Sequence, residues 1–196
     1  EKSEHQVTVA ELRELALESM AQEPIEFTGS TWHTALLGGM DTVAPKRVDI
    51  PETVHAELRE YQRTGVDWLY WMSRNNIGAV LADDMGLGKT LQLLSLLAVE
   101  KERGEQTGPT LVVAPTSVVG NWAREARRFV PDFEVMVQHG AGRPSGEKFL
   151  EAAGKADLVI TTYGTVSRDF NLLGEVSWQR VVLDEAQAIK NSATRS

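Results

Sequence analysis

The chain has 196 residues, of which 42% are hydrophobic and 24% charged, and its net charge is −8. This composition is typical of a globular protein with a buried core, and the absence of cysteine from the sequence excludes disulfides and thiolate metal sites. No hydrophobic run approaches the roughly 20 residues that span a bilayer, so the sequence predicts no membrane segment.

The acidity lies mainly in the first part of the chain. Residues 1–60 carry 12 acidic and 5 basic side chains, which gives −7, whereas residues 61–196 carry 16 and 15, which gives −1. Because the second part is nearly neutral, the net charge does not exclude a nucleic-acid partner for it.

Residues 1–50 are predicted to be a small acidic extension in front of a domain over residues 51–196. Within the extension, Thr8 and Glu11 have the spacing of a capping box, and hydrophobic residues at helical spacing predict a helix over residues 9–21. We therefore expect a mostly helical segment that packs on the domain. Docking of another protein on this segment is the alternative.

The domain alternates between short hydrophobic runs and helical patterns. We predict strands over residues 77–82, 110–114, 133–138, 157–161 and 180–184. Helices are predicted over residues 55–74, 90–103, 117–129, 147–153 and 164–172. This alternation predicts an α/β fold in which a mainly parallel sheet is covered by helices on both faces. Ligands of such sheets bind at the carboxyl ends of the strands.

A loop between the first predicted strand and the next helix has the character of a phosphate-binding loop. The sequence there is Asp-Asp-Met-Gly-Leu-Gly-Lys-Thr, although the usual pattern has a glycine at the first position. The glycines let the backbone wrap the phosphates, Lys89 neutralises phosphate charge, and Thr90 supplies a hydroxyl to Mg²⁺. An ordinary strand–helix turn with an incidental lysine is the alternative, which the context disfavours. The predicted nucleotide-binding residues of the loop are Asp83, Asp84, Met85, Gly86, Leu87, Gly88, Lys89 and Thr90.

The last predicted strand ends in the acidic sequence Asp184-Glu185-Ala186-Gln187. An aspartate at this position can hold Mg²⁺, and the adjacent glutamate can deprotonate an attacking water. The pair could instead cap the following helix, because carboxylates favour helix N-termini. A phosphate loop earlier in the same sheet favours the catalytic interpretation, with Lys89, Asp184 and Glu185 as catalytic residues.

Five segments occur in a characteristic order, over residues 58–69, 83–90, 111–122, 160–166 and 184–191. Together they resemble the first lobe of a Swi/Snf-type ATPase, in the helicase-like superfamily of DNA translocases, and the bacterial members are the closer likeness. The resemblance implies a RecA-like P-loop lobe that uses ATP and Mg²⁺, and an aspartate at the first loop position is the family's own form. A bacterial member would act in the cytoplasm at the nucleoid, and a eukaryotic one in the nucleus.

The resemblance also implies roles for individual residues. Gln62 matches a glutamine that reads the adenine edge, to which its amide can offer one donor and one acceptor. The residues that match segments along the backbone of duplex DNA are Thr116, Ser117, Asn121, Thr161, Thr162, Lys190 and Asn191. Short hydroxyl side chains and a helix N-terminus near residue 117 suit such phosphate contacts.

Arginines and tryptophans near these segments have less specific interpretations. Arg124, Arg127 and Arg128 lie on one predicted helix, where they either contact DNA or form a solvated charged face. Trp68 and Trp122 fall among hydrophobic helix positions, so we predict that they pack in the core rather than stack on bases.

In the family that the chain resembles, ATP is hydrolysed between two lobes, and the second lobe supplies an arginine to the transferred phosphate. The sequence stops at Ser196 without such a lobe, so the resemblance predicts a fragment that binds ATP weakly with negligible turnover. Two alternatives stay open. One is a helicase acting on RNA or a motor subunit of a restriction system, and the other is a nucleotide-gated module that docks a protein.

Overall fold

The computed structural model describes residues 45–74 and 89–184 in full, and the backbone of residues 25–27 and 79–81. The helices are α1 (Glu60–Arg74), α2 (Lys89–Glu102), α3 (Thr116–Phe129), α4 (Gly146–Lys155), α5 (Tyr163–Arg168) and α6 (Phe170–Gly174). The strands are β1 (Ile25–Phe27), β2 (Ala79–Leu81), β3 (Thr110–Ala114), β4 (Val135–Gln138), β5 (Leu158–Thr162) and β6 (Arg180–Leu183). The helix predicted over residues 9–21 lies outside the described residues.

Four of the strands form a parallel sheet in the order β4-β5-β3-β6. The central strand β3 pairs through Thr110 with Leu158 of β5 on one side and with Arg180 of β6 on the other. Strands β1 and β2 pair in parallel as a separate two-stranded sheet, and β2 lies beside β6. The predicted α/β fold with a parallel sheet is confirmed, and β1 is a strand that the sequence pattern does not indicate.

Helices cover both faces of the four-stranded sheet, as predicted. Alternate strand residues such as Val112 and Ile160 face a core formed with α1, α2 and α3, which includes Trp68 and Trp122. Their neighbours along the strands face a second core, where Phe149 of α4 packs with α5 and α6. Because both faces of the inner strands β3 and β5 are buried, neither strand alternates between hydrophobic and exposed polar residues. The prediction that both tryptophans pack in the core is confirmed.

Two helical predictions differ from the structure by more than one or two residues at an end. Helix α1 begins at Glu60 instead of residue 55, because the preceding residues form turns in which the His55 N–H donates to the Phe129 carbonyl at 2.7 Å. The helix predicted over residues 164–172 is two short helices that meet at Asp169. The guanidinium of Arg143 donates to this carboxylate at 2.7 Å and lowers the pKa of Asp169.

A buried ionic network ties α2 to β6 and α1. The carboxylate of Glu100, which is 2% exposed, accepts two hydrogen bonds from Arg180 at 2.5 and 2.6 Å. Ser73 of α1 and Gln179 also donate to Glu100, each at 3.0 Å. A buried carboxylate is tolerated only when it is paired and hydrogen-bonded, and these four donors satisfy that condition.

Residues 45–50 pack along α1 in irregular conformation. The Val48 N–H donates to a side-chain oxygen of Asp67 at 2.8 Å, and burial raises the pKa of Asp67 despite this bond and the nearby Arg47. A cavity of about 470 Å³ lies between this segment and α1, lined in part by Tyr70 and Trp71.

No described helix is long and apolar enough to cross a membrane.

Candidate functional site

The carboxyl edge of the four-stranded sheet gathers the predicted site residues that follow β3, β5 and β6. Strand β3 ends just before Thr116, β5 ends at Thr162, and β6 is followed by Asp184. Since the strands are parallel, these ends meet at one edge, which is where parallel sheets bind their ligands.

Asp184 is held from three directions at this edge. Its carboxylate is 4% exposed and accepts a hydrogen bond from the Trp122 indole N–H at 3.2 Å. Its backbone N–H donates to the Val113 carbonyl at 2.9 Å, which continues the ladder between β3 and β6. Its own carbonyl accepts a hydrogen bond from the Tyr163 hydroxyl at 2.9 Å. The orientation of this aspartate is therefore fixed by residues from α3 and α5.

Lys89 and Thr90 form the first turn of α2. Residues 90–100 are all buried, so the helix is embedded between α1 and the sheet along most of its length. The first N–H groups of a helix have no partner within it, and its N-terminus carries partial positive charge. A lysine and a threonine at such a position suit the binding of a nucleotide phosphate and its cation. The predicted loop residues Asp83 to Gly88 lie outside the described residues.

The residues that would hold Mg²⁺ fit this ion. Thr90 offers a hydroxyl oxygen and Asp184 a carboxylate, and both side chains are buried. Oxygen donors are the ligands that Mg²⁺ prefers, and a carboxylate has about four lone-pair sites, so it can accept hydrogen bonds and bind a cation at the same time.

Gln62 lies buried in the first turn of α1. Its side-chain oxygen accepts a hydrogen bond from the Arg59 N–H at 2.8 Å, which fixes the amide. One turn later, a Cβ added at Gly65 would lie 1.9 Å from the side-chain oxygen of Gln92 on α2. Glycine at this position therefore allows the close approach of α1, which carries Gln62, to the helix that begins at Lys89.

Thr116 and Ser117 are exposed on the first turn of α3, and Asn121 is partly exposed on the next turn. The N-cap of this helix is Pro115, whose side chain has no oxygen to accept from the helix N–H groups. The N-terminus of α3 thus combines the partial positive charge of a helix start with short polar side chains, which suits contact with a phosphate. Arg124, Arg127 and Arg128 are exposed further along the helix.

The structure places Thr161 and Thr162 inside the protein. The Thr161 hydroxyl donates to the Gln138 carbonyl at 2.8 Å. The Thr162 hydroxyl caps α5 by accepting from the Thr165 N–H at 3.1 Å. Both side chains are buried, so contact with a ligand at this segment would use its backbone or the neighbouring Tyr163.

The remaining predicted site residues lie outside the described residues. They are Glu185, Ala186, Gln187, Lys190 and Asn191. Trp122 and Tyr163 lie within the segments 111–122 and 160–166, and both bond directly to Asp184, which the sequence interpretation did not predict. A buried tryptophan or tyrosine generally finds a partner for its polar atom, but the sequence does not indicate which.

Comparison with known proteins gives consistent matches. A family model described as the SNF2-related domain matches residues 61–196. The Bacillus subtilis protein YwqA, named as a candidate ATP-dependent helicase/translocase, is 46% identical over 138 residues, which cover 70% of this chain and 15% of YwqA. The ISWI chromatin-remodeling complex ATPase CHR17 of Arabidopsis thaliana is 39% identical over 145 residues, which cover 72% of this chain and 14% of CHR17.

A solved structure has the same fold. The Sulfolobus solfataricus SWI2/SNF2 ATPase core in complex with dsDNA matches with a TM-score of 0.62 and 38% identity, covering 76% of this chain and 30% of that chain. The chain therefore corresponds to a small part of each of these relatives.

Proposed function

The chain belongs to the SNF2-related domain family, and from this premise we propose that it is the ATP-binding lobe of a Swi/Snf-type ATPase that moves along duplex DNA. The observation that carries the proposal is the arrangement around Asp184, a buried carboxylate at the carboxyl edge of the sheet. It is held by helix α3, whose exposed first turn suits phosphate contact. In such a motor, ATP hydrolysis would remodel protein–DNA complexes.

We assign the nucleotide-site roles from the sequence, and the buried positions of Thr90 and Asp184 support their part in it. Gln62 would read the adenine edge, the loop from Asp83 to Gly88 would wrap the phosphates, and Lys89 would neutralise their charge. Thr90 and Asp184 would hold Mg²⁺, which stabilises negative charge on the phosphates during transfer. Glu185 would orient and deprotonate the attacking water.

DNA contact is proposed along the carboxyl edge of the sheet. Thr116 and Ser117 are exposed at the N-terminus of α3, which supports phosphate contact there, and Asn121 would extend it. Thr161 and Thr162 would hold the backbone of the second contact segment through their buried side chains. Lys190 and Asn191 would form a third contact segment. The related Sulfolobus core, solved in complex with dsDNA, supports duplex DNA as the partner. The protein would then act at the nucleoid in a bacterium or in the nucleus of a eukaryote.

Residues 1–50 are proposed to be a segment that packs on the lobe formed by residues 51–196. The pairing of β1 with β2 supports this role, since β2 leads into the phosphate loop. Docking of a protein partner through the acidic side chains of this segment is the alternative proposal for the same residues.

We expect residues 1–196 alone to bind Mg-ATP weakly and to hydrolyse it negligibly. The physical reason is that a second lobe would supply an arginine to the transferred phosphate, and such arginines contribute roughly 10³–10⁵ to the rate in other phosphoryl-transfer enzymes. Titration with a fluorescent ATP analogue would measure binding, and phosphate release with and without duplex DNA would measure turnover. Robust DNA-stimulated hydrolysis by residues 1–196 alone would contradict the proposal.

A further inference from the structure

Asp184 receives one hydrogen bond from each of the two described segments that we propose to contact DNA. The Trp122 indole N–H of α3 donates to its carboxylate at 3.2 Å, and the Tyr163 hydroxyl at the start of α5 donates to its carbonyl at 2.9 Å. The residue proposed to hold Mg²⁺ is therefore joined directly to both DNA-contact segments. The sequence predicts that Trp122 packs in the core, and it does not indicate a bond from either side chain to Asp184.

Helix α3 forms a short physical link between the surface and Asp184. Its first turn is exposed at Thr116 and Ser117, and the same continuous helix carries Trp122, which is 1% exposed. Val119 and Ala123 on either side of Trp122 are also buried in the core. Coupling between sites can be carried by rigid secondary elements, so a shift of the helix N-terminus on a DNA backbone would be passed to the indole N–H that bonds to the carboxylate.

The second link begins at the end of β5. Thr162 caps α5 through the Thr165 N–H at 3.1 Å, and Tyr163 is the first residue of that helix. The carbonyl that accepts from Tyr163 belongs to the peptide bond between Asp184 and Glu185. This hydrogen bond therefore holds the Asp184 carbonyl, which lies next in sequence to the proposed catalytic base Glu185.

We propose that Trp122 and Tyr163 are positioning residues that couple contact with duplex DNA to ATP hydrolysis by setting the orientation of Asp184 and of the peptide that follows it. The inference rests on the proposed function, because it names the route by which DNA regulates the same site. Trp122 orients the carboxylate that would hold Mg²⁺, and Tyr163 orients the Asp184 carbonyl, which precedes Glu185 in the chain. Each bond has one side-chain donor, so each can be removed by a single substitution.

The test uses the Trp122→Phe and Tyr163→Phe variants of the full-length product of the gene that encodes this chain. Each variant removes one donor and retains an aromatic ring in the core. A net hydrogen bond is worth a factor of roughly 2 to 10, so we expect kcat with saturating duplex DNA to fall by about that factor in each variant. The Mg²⁺ concentration for half-maximal rate should rise in Trp122→Phe, whereas the affinity for DNA should stay within about twofold.

Matched controls separate positioning from a general loss of structure. Trp178→Phe removes an indole N–H that donates to the Leu173 carbonyl at 2.8 Å, and Tyr70→Phe removes a hydroxyl that donates to Glu105 at 2.9 Å. Both controls should retain DNA stimulation and the Mg²⁺ dependence of the unsubstituted protein. If the controls lose as much kcat as the test variants do, the proposed coupling is wrong. It is also wrong if both test variants keep full DNA stimulation. Neither result would contradict the proposed function. Absence of DNA stimulation in the unsubstituted protein would overturn the proposed function as well.

Discussion

Replacement of Lys89 by alanine is expected to lower kcat for ATP hydrolysis by the full-length gene product by about 10²–10³, the loss seen when one preorganised group that stabilises developing charge is removed. Lys89 is the first residue of α2, a helix buried from residue 90 to residue 100, so its backbone position is fixed by the core. The ammonium would neutralise phosphate charge that builds up during transfer. Steady-state phosphate release with saturating duplex DNA measures the effect.

Lys148→Ala is the matched control for this substitution. Lys148 lies exposed on α4, so the same chemical change is made on a helix that carries no proposed site residue. The control should retain kcat, and both variants should unfold at the temperature of the unsubstituted protein. A Lys89→Ala protein with kcat within about threefold of the control would remove Lys89 from the catalytic site.

Replacement of Glu100 by alanine is expected to lower the free energy of unfolding of the chain by about 3–5 kcal/mol. The substitution leaves the guanidinium of Arg180, only 13% exposed, without the carboxylate that pairs with it. The donors Ser73 and Gln179 lose an acceptor at the same time. Since folded proteins are stable by only about 5–15 kcal/mol, this loss is a large part of the total, and urea unfolding followed by circular dichroism measures it.

An exposed ion pair provides the comparison for Glu100. Glu151 and Lys155 are 73% and 76% exposed and form an i,i+4 pair on α4, so Glu151→Ala should cost only a few tenths of a kcal/mol. Glu100→Gln, which keeps the shape and one acceptor but removes the charge, should fall between the two. Equal effects of Glu100→Ala and Glu151→Ala would show that the buried network does not stabilise the fold.

The sequence predicts the sheet well because its strands are buried on both faces. Residues 110–114 form a continuous hydrophobic run, and β3 has those bounds. Local patterns predict less well where a tertiary contact decides the structure. Helix α1 starts later than predicted because the residues before it bond to Phe129, and the pairing of β1 with β2 has no local signal.

Contacts within the candidate site depend on residues that are far apart in the sequence. Trp122 and Asp184 are separated by 62 positions. The sequence alone predicts that Trp122 is buried and that Asp184 is functional, but it does not predict that they bond. Thr161 and Thr162 are residues for which the sequence predicts contact with a ligand, whereas the structure buries their side chains. Their hydroxyls suggest exposed phosphate contacts, but both lie at a strand end where neighbouring backbone groups provide interior partners. The residue types indicate the chemistry, whereas the fold decides which groups reach the ligand.

The most direct test of the proposed function is the ATPase rate of the full-length gene product with duplex DNA, with duplex or single-stranded RNA, and without nucleic acid. We predict strong stimulation by duplex DNA, because Thr116, Ser117 and the N-terminus of α3 are proposed to contact its backbone and α3 bonds to Asp184. RNA should stimulate the rate weakly or not at all. A rate that duplex DNA leaves unchanged, or that RNA raises as much as duplex DNA does, would contradict the assignment as a duplex-DNA motor.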